Sequence, residues 1–263
     1  MDTEGAPSPQ LSHDADAGAD ADAGADATAA ATAQTARAAI WSSFFGIVAA
    51  VALVFFANGA FASGWVNDAH LQTLLAYGAT WVPMLVAVGV FALARRGRQA
   101  HDPTGAQAVL GIRFRAIDLL WGAAIGVLGR FVGAGMSLLL YGTTGFVGQP
   151  TIGGIDGWFV FGALIAPVVI APLIEEGFFR GMMQGALARQ LGGVWAVGVT
   201  AVVFTAVHLI GAASVTDVLA VGVPLAVFAV AAGASRVLTG RIGAAVIGHV
   251  VFNGVAALLT WPW

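Results

Sequence analysis

Across 263 residues, 59% are hydrophobic, 10% are charged, and the mean hydropathy is +0.86. A soluble domain runs at about 45–50% apolar and about 25% charged, so a water-soluble fold is excluded and lipid must be the solvent. The chain has no cysteine, which also excludes disulfide frameworks, thiolate metal sites and cysteine nucleophiles.

The net charge of −3 averages two unlike parts. Seven of the 14 acidic residues lie within residues 1–26, in an Ala/Asp/Gly stretch running through Asp14, Asp16 and Asp26. Like charges without apolar periodicity predict a disordered, solvated tail over 1–37. It is not read as a signal peptide, because no basic region precedes the apolar run and that run is long enough to span a bilayer. Beyond residue 26, 11 arginines face 7 acids, a balance of +4. Residues 38–263 are expected to form a transmembrane helical domain, with nucleic acid not an expected partner.

Apolar segments follow at about 39–63, 71–94, 117–141, 158–178, 194–213, 218–235 and 242–260. About 20 helical residues cross a hydrocarbon core of about 30 Å, so the fold class is an all-α polytopic bundle of seven helices. An eighth, short element at 142–157 or 211–217 stays open. On the third segment Gly122/Gly126 and Gly129/Gly133 form GxxxG steps, which allow close helix contact.

Ten of the arginines (Arg37, Arg95, Arg96, Arg98, Arg113, Arg115, Arg180, Arg189, Arg236 and Arg241) fall on one alternate set of loops and helix ends. Only Arg130 sits inside a span, and the opposite loops hold Asp68, Asp156 and Asp217 without any Arg. The positive-inside rule then places the N-terminus in the cytoplasm and, for seven spans, the C-terminus outside.

Ionisable groups inside spans are costly and mark functional candidates. Three clusters qualify: Glu175-Glu176 with Arg180, Phe204 with His208, and His249 with Asn253. Glu176 and Arg180 are spaced i,i+4 and can neutralise one another; His249 and Asn253 share a helix face by the same spacing. The pair Gly192-Gly193 predicts a helical hairpin. Glu175 lies 17 residues before Gly192 and His208 lies 16 after it, so the hairpin brings both to one depth. Its tip, with Arg180, Gln184, Arg189 and Gln190, is expected among the headgroups. His249 is eight residues beyond Arg241, about 12 Å along a helix, which puts it in the same half of the bilayer.

A carboxylate near two imidazoles and an amide suits water activation. One Glu accepts a proton from water, one His positions that water, and the other His with Asn donates to the developing oxyanion. Desolvation makes a carboxylate a better proton acceptor. The same His/His/Glu donors are also a catalytic zinc set, so metal-free and zinc-assisted attack at Glu175, His208 and His249 are both open from sequence. An H-E-x-x-H zinc helix, a G-x-S-G serine loop and a G-x-G-D aspartate motif are all absent.

The ordered motifs Glu175-Glu176…Arg180, Phe204…His208 and His249…Asn253, with the approach Arg236 to Ile242, resemble the CAAX prenyl protease and bacteriocin-processing family (CPBP, or Abi). The resemblance covers about 158–260. It implies an intramembrane endopeptidase in which Glu175 is the general base and His208 its partner on the water. His249 and Asn253 would stabilise the oxyanion, while Glu176, Arg180 and Phe204 shape the site. The family is often called metalloproteases, and a glutamate mechanism without metal is also proposed for it; the latter is the expectation here. A Gly-, Ala- and Arg-rich chain reads as prokaryotic, so a multi-pass plasma-membrane location is expected and prenylated substrates are not carried over. The expected partners are the lipid bilayer and a peptide or membrane-anchored protein; oligomeric state is not legible. A non-catalytic binding or bacteriocin-immunity protein on the same fold is the alternative. A transporter would need a through-going polar path, for which the other spans offer only Arg130 and scattered Ser or Thr.

Overall fold

Hydrocarbon offers no partner to a backbone N–H or C=O, so apolar segments must satisfy these groups within themselves and fold as helices. The computed structural model describes residues 10–96, 110–144 and 155–261, and every regular element among them is helical. In chain order these are α1 (Gln10–Ala62), α2 (Ala69–Arg96), α3 (Ile117–Tyr141), α4 (Gly157–Leu191), α5 (Gly193–His208), α6 (Val215–Thr239) and α7 (Gly243–Leu259). Five are long and apolar enough to cross a membrane; α5 and α7, at 16 and 17 residues, are shorter apolar helices. The protein is a polytopic helical bundle.

Two boundaries differ from the sequence expectation. Helix begins at Gln10, inside the stretch 1–37 expected to be disordered, and Ala36 is already buried. Alanine is the strongest helix former, and its density here outweighs the repulsion between aspartates. The apolar run expected over 194–213 ends as helix at His208, with Gly211 taking φ +96° in the turn that follows. A hidden element over 211–217 is not present: Ser214 caps α6 directly, its Oγ accepting from Asp217 N–H at 3.0 Å. Most of 142–157 lies outside the described residues, as does Arg98.

The arginine-bearing ends gather on one face of the bundle. Arg241, between α6 and α7, pairs with buried Asp118 at the start of α3 at 2.7 Å. The Asp118 carboxylate holds the Arg241 guanidinium above its ordinary pKa. Nearby, Ile242 N–H donates to Gly111 O and Gln190 Nε2 to Ala33 O.

Helix α3 packs closely against α6 and α7, and glycine is what permits it. A Cβ at Gly126 would stand 2.5 Å from Gly248 O, and one at Gly122 would stand 2.6 Å from Ile247 Cβ. Gly129 is tight against Phe252, whereas a Cβ at Gly133 meets only Pro224 at 3.5 Å. Gly126→Leu therefore destabilises the fold by about 1–3 kcal/mol or more through overpacking, while Gly133→Ala stays near wild type. Unfolding midpoints in mild detergent distinguish the two, and equal midpoints would refute the contact.

Candidate active site

Helix α4 is irregular where it carries the site. Residues Phe161–Ile170 and Gly177–Met183 follow wide π-type turns, with Ala171 N–H donating to Ala166 O and Gln184 N–H to Phe179 O. Such turns concentrate at functional sites. Here proline spacing accounts for the first of them. In an i→i+5 ladder the N–H facing Gly162 O belongs to Pro167, and the one facing Pro167 O belongs to Pro172; neither proline has an N–H. Both carbonyls recruit side chains from other helices. Tyr77 of α2 donates its hydroxyl to Gly162 O at 2.7 Å, and Asn253 of α7 donates Nδ2–H to Pro167 O at 2.7 Å.

The hairpin forms at Gly192, φ +83°, and brings Glu175 Oε2 to 3.5 Å from His208 Nε2. Glu175 is 7% exposed, while the His208 side chain is 30% exposed, the more open of the two. His208 Nδ1 lies 2.7 Å from Phe204 O. A carbonyl only accepts, so Nδ1 carries the hydrogen and Nε2 is the nitrogen presented to Glu175.

Glu176 points elsewhere. Its Oε1 accepts from Arg180 Nη1 at 3.0 Å and from His249 Nδ1 at 2.9 Å, with Glu176 and Arg180 both 0% exposed. Arg180 is sandwiched against aromatic rings, its guanidinium carbon 4.2 Å from the Phe204 centroid and 5.7 Å from Phe228. Its Nη2 reaches Ala229 O on α6, and Gln184, one turn on, reaches Gly233 O. The hairpin tip is thus not uniformly interfacial: Arg180 and Gln184 lie in the protein interior, because charge neutralisation and helix carbonyls make burial tolerable there.

Glu175, His208, His249 and Asn253 all line one cavity of about 360 Å³. Other walls come from α1 (Ile47, Val51, Val54), α2 (Tyr77, Trp81, Met84) and α6 (Leu225), as well as from Pro167 and Ala171. The sequence reading confined the site to 158–260; helices α1 and α2 supply an apolar wall that no motif announced. Phe204 is fully buried beneath the site, its ring 4.4 Å from that of His208 and 5.8 Å from that of His249.

The four chemistry-bearing side chains are not equivalent. With Nδ1 engaged by Glu176, His249 has Nε2 left for the cavity. Asn253 spends one amide hydrogen on Pro167 O and keeps one. Glu175 Oε2 is buried without a hydrogen-bond partner. Among the described residues no three His, Asp or Glu side chains form a metal-holding group.

Residues 157–255 match a family model described as type II CAAX prenyl endopeptidase Rce1-like. The matched stretch holds all of Glu175, Glu176, Arg180, Phe204, His208, His249 and Asn253. No curated protein and no solved structure matches the chain.

Proposed function

We propose that Glu175 activates water for peptide-bond hydrolysis within the bilayer, a reading supported by the match of residues 157–255 to the type II CAAX prenyl endopeptidase Rce1-like family model and by the long apolar helices of the bundle. The observation that carries this reading is Glu175 itself: a nearly buried carboxylate on a shared cavity, with one oxygen lacking a donor and His208 Nε2 at 3.5 Å. Water supplies the missing donor, sitting in the cavity beside the pair and within reach of both the carboxylate and the imidazole. Its oxygen attacks the scissile carbonyl carbon as its proton passes to Glu175. Negative charge on the former carbonyl oxygen is met by His249 Nε2, in its protonated form, and by the second amide hydrogen of Asn253. As the C–N bond breaks, the proton held by Glu175 goes to the leaving nitrogen, giving a carboxylic acid and an amine and restoring the Glu175 carboxylate.

Glu176 acts through His249. Its carboxylate accepts from Nδ1 and so fixes the ring with Nε2 towards the cavity, while Arg180 balances the buried negative charge. The substrate is a peptide or membrane-anchored protein whose apolar part rests on the α1–α2 wall. The arginine-bearing face is cytoplasmic by the positive-inside rule, the membrane being a prokaryotic plasma membrane.

The reading is tested by comparing membrane proteomes of cells carrying wild type or His208→Ala. At least one peptide terminus should disappear in the variant and return on complementation. If matched expression of both proteins yields identical termini, the proposal fails.

A further inference from the structure

A second cavity, of about 370 Å³, lies between α3, α6 and α7 and is lined by Arg130, Ser137, Thr144, Pro224, Asn253 and Thr260, among others. Arg130 is the fourteenth residue of α3, about 20 Å along the helix from its arginine-rich end. Thr144 and Thr260 lie just past the far ends of α3 and α7, so the cavity runs from the bundle's middle towards the arginine-poor face.

The guanidinium at its base is half-engaged. Nε donates to Phe252 O, and the plane lies 3.7 Å over the Phe252 ring. Those are its contacts among the described residues, which leaves the four N–H groups of Nη1 and Nη2 without an acceptor. No carboxylate among the described residues pairs with it. Among the described residues the buried carboxylates of the first cavity each have a neighbour, Glu176 the Arg180 guanidinium and Glu175 the His208 ring. A cation at mid-span with no counter-charge is expensive, and a guanidinium edge of two nitrogens is shaped for a bidentate oxyanion.

We propose that this cavity is an oxyanion-binding site, taking a carboxylate or phosphate group on Arg130 with Ser137 as a hydroxyl donor on the wall. The site is distinct from the hydrolytic cavity yet borders it, since Asn253 and Leu225 line both. Arg130 is also anchored on the carbonyl of the residue preceding Asn253. An anion drawing on the guanidinium therefore acts on the α7 turn that holds the Asn253 amide.

The anion can come from water or from the bilayer, and one experiment separates the sources. The full chain is placed in phosphatidylcholine nanodiscs, and its thermal unfolding midpoint is followed against inorganic phosphate, acetate, or oleate in the bilayer. Chloride at equal ionic strength is the baseline. A saturable rise of about 2–4 °C or more is expected with at least one probe. Phosphate or acetate acting identifies a water-borne anion; oleate alone identifies a lipid-derived carboxylate. Arg130→Gln abolishes the rise. Ser137→Leu, which fills the cavity and leaves the cation in place, abolishes it too and keeps the result interpretable should Arg130→Gln fold poorly. No rise with any probe in wild type, or an equal rise in wild type and Ser137→Leu, overturns the site. Cleavage is not the readout, so the outcome stands apart from the fate of the hydrolytic reading.

Discussion

Glu175→Gln is expected to lower peptide cleavage by about 10²–10⁴-fold, the range that a positioned general base contributes. Glutamine keeps the size of the side chain and its place on the cavity wall, but its amide cannot take a proton from water. Glu175 forms no pair with an arginine, so its neutralisation leaves no buried cation stranded, and the unfolding midpoint should stay close to wild type. The measurement is turnover of a membrane-reconstituted peptide substrate alongside thermal unfolding of the same preparation. Turnover within tenfold of wild type would remove Glu175 from the role of base. Lost turnover accompanied by lost folding would trace the effect to structure instead.

Arg180→Ala should be the most destabilising single change near the site, at about 3–5 kcal/mol, because it strips the buried Glu176 of its cation and leaves it only the His249 ring. Stacking over Phe204 goes with it. Neutralising both partners, as in Glu176→Gln with Arg180→Met, should recover most of that stability, since the desolvation penalty disappears together with the attraction. Activity should not return, because His249 then lacks the carboxylate on Nδ1. Denaturant unfolding in detergent, with activity read on the same three proteins, gives the comparison. A single variant within about 1 kcal/mol of wild type would mean that the pair is hydrated rather than buried.

Local geometry was the part written plainly in the sequence. Counting from Gly192 placed Glu175 opposite His208, and an i,i+4 interval was enough to pair Glu176 with Arg180. Both follow from helix periodicity within one hairpin. What lay beyond it required knowing which helices touch. Nothing in the residues near Glu176 says that its second partner is His249, 73 positions away, or that Asp118 is the buried mate of Arg241. The contribution of α1 and α2 to the cavity was hidden because a wall of Ile, Val and Trp looks the same as a lipid-facing surface. One signal was there to be used: Pro167 and Pro172 stand five apart, the spacing at which a widened helix leaves successive carbonyls open. In the N-terminal stretch the alanines between the aspartates carry a helix-forming tendency of their own, and the helix there runs from Gln10.

Those two open carbonyls bear on how the bundle comes together. A newly inserted α4 by itself would hold Gly162 O and Pro167 O in hydrocarbon, each short of a partner at a cost of several kcal/mol. Docking of α2 brings the Tyr77 hydroxyl to one, and docking of α7 brings the Asn253 amide to the other. Association of these three helices is therefore driven by polar need rather than by exclusion of lipid. Helix α7 thus completes the hydrogen bonding of a residue 86 positions before it, so the proposed site is complete only once α7 has docked.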